Sequence, residues 1–330
     1  MKPKKNSKNQ KVIIRAVLLG LFAVIAIVLI LNRDLISDRI LAIGYQPTAE
    51  VESIIKDLQL TDLGERILFA SRPELQSSED FNENCPIDAD TATLGCYHLQ
   101  RIYVYDVQNS NLEGIKQAVM AHELLHAAWE RLSDGEKNEL TPILVSIYEQ
   151  NLEKFSSHME NYGEETRVDE LHSVIGTELS VDNYPEKLKK HYARYFRQQS
   201  RIIGFYNQYN DKFEKIENNS RELASTIQQN LAHINELNQR YMADLSAFNK
   251  DCEEFNARAK IPNGFASREA FDSERAVLVE RQTKLKATYQ EISELVDNTN
   301  KLINEYNENR IRSNELYDSI DSKITQPTNL

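Results

Sequence analysis

The apolar positions along the chain fall into three stretches with different rhythms. The first is continuous: behind the polar, lysine-rich MKPKKNSKNQK comes VIIRAVLLGLFAVIAIVLIL, interrupted only by Arg15 and Gly20. About 20 such residues make one helix long enough to cross a bilayer core. The run therefore predicts a membrane-spanning helix over 12–31, behind a basic tail of 1–11. Lys2, Lys4, Lys5, Lys8, Lys11 and Arg15 precede or open the run, whereas Arg33 and Arg39 beyond it are offset by Asp34 and Asp38. That asymmetry places the N-terminus in the cytoplasm and the rest of the chain outside. No small-residue cleavage site follows the run, which favours an uncleaved signal anchor over a removed signal peptide.

The second stretch, 45–200, alternates between helical and strand periods. Val51, Ile54, Ile55 and Leu58, then Leu63, Ile67 and Leu68, recur at helical spacing. Thr48 and Thr61 precede them as N-caps. RIYVYDV, 101–107, is dense in β-formers and predicts a strand. After the turn residues QNSN a helix is expected over about 112–132, and SDGE, 133–136, starts another with a capping box, running to about 160. Further helices are expected over about 164–179 and from Pro185 onward.

In the third stretch, 205–325, glycine and proline nearly vanish and a three-four apolar rhythm persists. Tyr241, Leu245, Phe248, Cys252 and Phe255 carry it on one arm, and Leu285, Tyr289, Ile292, Val296, Ile303, Tyr306, Tyr317, Ile320 and Ile324 on the other. Pro262, Gly264 and Ser267 mark a reversal between them. The pattern predicts an antiparallel coiled-coil hairpin with arms of about 50 residues, or about 75 Å each. The expected fold class is α+β, predominantly α-helical, with a small sheet.

Composition narrows the class. The 330 residues are 41% hydrophobic and 27% charged, enough for a core and more than one unit of usual size. A net charge of -12, with no glycine-rich phosphate loop, argues against nucleic-acid or nucleotide binding. Cys85 and Cys96 flank a turn-rich segment, CPIDADTATLGC, and in an oxidising compartment the pair is expected to close a small disulfide loop. Cys252 stands alone at an apolar register position.

The candidate chemistry lies inside the helix expected over 112–132, in VMAHELLHAAWE, 119–130. His122 and His126, four residues apart, share a helix face and reach one ion together. Glu123 is rotated about 100° from His122 and is no natural third arm for that pair. Val119, Leu124, Leu125, Ala127, Ala128 and Trp129 surround the motif with apolar surface suited to a buried helix.

This H-E-x-x-H, carried on a helix behind a strand, resembles the zincin metallopeptidases. The resemblance covers roughly 97–180. It implies a single zinc ion on His122, His126 and one further protein ligand, with Glu123 as general base activating a water. It also implies that the exposed edge of the strand at 101–107 holds an extended peptide. Asp169-Glu170-Leu171-His172-Ser173 is similar to the Asn-Glu-x-x-Ser pattern of thermolysin-like gluzincins and nominates Glu170 as third ligand. Ser173, Val174 and Thr177 share its face and are small enough for close helix packing. Val174 departs from the pattern, which has there an aspartate orienting a zinc-binding histidine, so that carboxylate must come from elsewhere. Glu178 and the Glu165/Asp169 pair are rival third ligands. The H-x-x-G-x-x-H extension is absent, which disfavours a metzincin. His172, with Tyr162 and Tyr184, is a candidate to stabilise an oxyanion, whereas His158 and His191 read as ordinary helical residues.

Together these readings imply a membrane-anchored, extracytoplasmic zinc metallopeptidase of a bacterial envelope, acting on a peptide or protein. Its coiled coil would serve self-association or docking to a partner. The competing expectation is a non-enzymatic envelope scaffold whose coiled coil is the working part, with a structural or degenerate zincin domain.

Overall fold

The structure, a computed structural model, describes residues 7–85, 93–160, 162–180, 182 and 184–323. The first six residues of the basic tail, the middle of the cysteine-flanked loop and Ile324 lie outside the described residues. The chain is mostly helical with one small sheet. It divides into two units, 1–212 together with 316–330, and 213–315. The end of the second long helix thus belongs to the first unit. Hydrogen bonds explain this: Ser78 and Asn82 donate to the Ser322 carbonyl, and Asn109 Nδ2 lies 3.2 Å from Ser319 Oγ.

In the first unit, α1 (Ser7–Leu31) carries the apolar run. Among the described residues no single helix is long and apolar enough to cross a membrane; Val17–Ile30 and Arg33–Leu41 pass only as a pair bent by 63°. The second member, α2 (Arg33–Leu41), is tied into the folded unit. Its Asp38 is 2% exposed and accepts from Arg66 Nε at 3.1 Å and Arg131 Nε at 2.9 Å. A buried carboxylate held by two guanidiniums has its charge paired there. Thr48 and Thr61 cap α3 (Ala49–Leu58) and α4 (Asp62–Ala70), accepting from Val51 N and Gly64 N.

The sheet consists of β1 (Glu74–Gln76), β2 (Gly95–His98) and β3 (Arg101–Tyr105) in the order β1-β3-β2, with β1 parallel and β2 antiparallel to β3. The strand expected at 101–107 is therefore central, and the expectation of a free edge on it is corrected. Ile102, Tyr103, Val104 and Tyr105 are all at most 5% exposed, so this run is buried on both faces and paired on both sides. The outer strand beside the motif helix is β2. A disulfide between Cys85, at the end of α5 (Ser78–Asn84), and Cys96 ties β2 in place.

The motif helix α6 (Ile115–Glu130) packs on β2 and β3 with one side and on α9 (Glu164–Glu178) with another. Leu58, Leu68, Ile102, Leu124, Leu125, Leu171 and Ile175 form the core around it. Ser133 and Glu136 close the expected capping box at the start of α7 (Asp134–Gln150). The helix expected to run on to 160 instead breaks at Asn151, with φ -130° and ψ 34°, where Asn151 Nδ2 donates to the Ile147 carbonyl at 2.7 Å. The chain restarts as α8 (Leu152–Met159). A second unexpected break separates α10 (Glu186–Tyr192) from α11 (Gln199–Ala259), where Phe196 pairs with Leu60 through the backbone.

Behind α9, His172 Nε2 and His191 Nε2 meet at 2.8 Å among Trp129, Tyr192 and Tyr195. Burial, with help from Arg194, pushes the His191 imidazole down to about 4. The unfolded chain takes up that proton near 6.5, so stability falls as pH drops from about 6.5 towards 4, by about 3 kcal/mol for this group. Urea midpoints measured across that range should fall steeply in the parent and less steeply in a His191→Gln variant. Equal slopes would exclude His191 as the source.

The second unit consists of residues 213–315 of α11 and of α12 (Arg268–Ile320). Tyr241 meets Tyr289, Asp251 meets Arg281, and Arg258 meets Glu274, so the partner number falls as position rises and the helices are antiparallel. Phe255, Phe265 and Phe271 pack together at the closed end.

Candidate metal centre

One helical turn separates His122 from His126, and α6 is held from both sides, so the two rings project from a fixed surface. Their side chains are 19% and 17% exposed. α9 comes close because of its small residues. At Gly176 a Cβ would stand 2.4 Å from the Leu125 side chain and 2.6 Å from Tyr192, so any other residue would push the helices apart. This approach brings Glu170, 3% exposed, onto the two imidazoles.

His122 Nε2 and His126 Nε2 are 3.1 Å apart, His126 Nε2 is 3.3 Å from Glu170 Oε2, and His122 Nε2 is 3.5 Å from Glu170 Oε1. Donors about 2.0–2.1 Å from a tetrahedral ion are about 3.3 Å from each other. The three side chains thus fit one metal ion. Two imidazoles and a carboxylate suit a first-row divalent ion.

Of the rival ligands, Asp169 has another place. Its Oδ1 lies 2.9 Å from His126 Nδ1 and so orients the ring with Nε2 towards the centre. The carboxylate absent at Val174 is thus supplied by the residue preceding Glu170. Glu178 stays outside the donor group; burial raises its carboxyl, against the opposing effects of His122 and Lys154. The Glu165 side chain lies outside the described residues.

The electrostatics follow from the crowding. Burial alone would raise Glu170, but His122, His126 and His158 hold it far below the usual carboxylate range. Burial works against charged His126 too, yet Asp169 and Glu170 push it well up. His122 is likewise raised, mainly by Glu170. Protons on these rings balance the acids where a cation otherwise would, so metal affinity should weaken as pH falls.

Glu123, 5% exposed, points from the same helix towards β2, and burial raises its carboxyl. At Gly95 a Cβ would stand 2.8 Å from Glu123 Oε1 and 2.5 Å from the Val119 side chain. Only glycine lets β2 pass this close. Gly95→Ala should therefore displace Glu123 and depress any chemistry that depends on it, while metal content stays that of the parent; unchanged turnover would show the contact to be slack.

His172, expected as a candidate oxyanion stabiliser, is fully buried, with its Nε2 2.8 Å from His191 Nε2. The Tyr184 hydroxyl is engaged by the Ile175 and Leu179 carbonyls at the end of α9. Tyr162 packs its ring on that of His158, and burial with the Glu170 and Glu123 carboxylates pushes its phenol up. His158, read from sequence as an ordinary helical residue, places Nε2 at 2.7 Å from Glu170 Oε1. Its position depends on the break at Asn151, for which the apolar rhythm holds no signal. No protein-family model, curated protein or solved structure matches this chain.

Proposed function

We propose that this protein is a membrane-anchored, extracytoplasmic zinc-dependent peptidase of the zincin type. The observation that carries the reading is the convergence of His122, His126 and Glu170, with donor atoms 3.1–3.5 Å apart, beside the buried carboxylate of Glu123. An ion held there supplies Lewis acidity, which makes water nucleophilic at neutral pH and polarises a carbonyl. Glu123 takes the proton from the attacking water and returns it to the leaving amine. Asp169 holds the Nδ1–H of His126, so that Nε2 is the free donor. Tyr162, whose ring packs on that of His158, is the candidate to stabilise an oxyanion.

The outer side of β2 carries backbone groups with no strand beside them among the described residues, and Gly95 sets that strand against Glu123. An extended peptide added to β2 would pass the base in register with the sheet. The apolar run of 16–31 and the basic residues ahead of it support the anchor, and the Cys85–Cys96 bridge suits an oxidising compartment. The apolar rhythm and antiparallel pairing of the second unit support a coiled coil that docks or self-associates.

Metal content tests the reading. The full chain in detergent should hold about one zinc per chain, and His122→Ala should lose it. A parent protein that is folded, metal-free and indifferent to added zinc would overturn the reading. That result would favour the scaffold alternative, for which the lengths of α11 and α12, 61 and 53 residues, are the specific support.

A further inference from the structure

Glu170 is the one member of the donor triad sealed from water, at 3% exposure. A carboxylate has about four lone-pair directions, and an ion bound through one oxygen uses only one. The remainder must be met by protein donors, because a buried acceptor left unpaired costs free energy. One donor from outside the triad is His158, whose Nε2 lies 2.7 Å from Oε1. The His158 and Tyr162 rings touch, with centroids 5.4 Å apart. Phe155 and Met159, each 1% exposed, anchor α8 in the core, whereas the His158 side chain is 46% exposed at the mouth of the centre.

We propose that His158, braced by Tyr162, is a positioning residue for the third metal ligand. It holds one oxygen of Glu170 and leaves the other to the ion, which keeps a coordination position open. A separation of 2.7 Å is a hydrogen bond, shorter than the about 3.3 Å between two donors sharing one tetrahedral ion. His158 therefore acts through Glu170 rather than beside it. The proposal rests on the metal-centre reading but not on peptide hydrolysis.

Cobalt(II) provides a readout independent of activity, because four-coordinate cobalt absorbs visible light far more strongly than five- or six-coordinate cobalt. Metal-stripped full chain in detergent would be titrated with Co2+ as the parent, His158→Ala and His158→Gln. The parent should show the intense band. His158→Ala should bind about 10- to 100-fold more weakly and lose intensity as Glu170 turns both oxygens to the ion. His158→Gln, whose amide still donates, should recover most of the affinity and the band. Melting of the three metal-free proteins should coincide, which separates positioning from folding. Parent-like affinity and spectrum in His158→Ala would overturn the proposal. So would His158→Gln matching His158→Ala with a shifted band, because His158 would then be a ligand itself. A parent that takes up no Co2+ would overturn the metal reading and this proposal together. A parent that binds Co2+ normally but cleaves no peptide would remove only the peptidase reading.

Discussion

Glu123→Gln should leave the metal content of the protein unchanged while lowering peptide hydrolysis by about 10³-fold, the scale of a lost general base. The substitution keeps the shape of the side chain. That matters here because Glu123 is 5% exposed and packed against Gly95, so a smaller residue would also shift β2. His122 and His126 stand on the neighbouring face of α6 and are held by Asp169 and Glu170, neither of which the amide disturbs. The experiment pairs zinc determination with turnover of an unstructured protein substrate such as casein. Turnover near that of the parent would remove Glu123 from the proton transfer. Loss of zinc together with activity would mean that the carboxylate supports the centre rather than the reaction.

Asp38→Ala should be the most damaging substitution far from the metal centre. It would strip the shared partner from Arg66 and Arg131, whose side chains are 32% and 15% exposed. Breaking a buried ion network by removing one member costs about 3 kcal/mol or more, because the remaining charges stay desolvated and unpaired. Arg131 caps the end of α6, so the loss should loosen the motif helix as well as detach α2. Denaturant midpoints of the full chain would show it, with Asp34→Ala as the control. Asp34 pairs with Arg33 at 53% and 83% exposure, and such surface pairs contribute about 1 kcal/mol at most. Similar midpoints for both variants would show that Asp38 is not the lock between α2 and α6.

Features governed by neighbours a few residues apart could be read from the chain. Thr48, Thr61 and Ser133 cap helices where capping chemistry placed them. The strand at Ile102–Tyr105 was visible because β-branched and aromatic residues crowd there. Its partners were not: β1 has three residues, and the half-buried GCYH of β2 reads as loop. The breaks at Asn151 and between Tyr192 and Gln199 interrupt sequences that would continue as helix in isolation, and packing overrode that preference.

What the sequence alone determined was the pair of imidazoles on one helical turn, the acid beside them, the caps and the long two-armed helical rhythm. Each depends on backbone spacing that a helix repeats everywhere. Only the tertiary structure set Glu170 against both imidazoles, gave Asp169 the orienting place and brought His158 to the carboxylate. Those placements depend on how closely α9 packs on α6, which Gly176 permits, and on where α8 restarts after Asn151. Contacts made across helix interfaces leave no period in the sequence, because the distance that decides them lies between elements rather than along one.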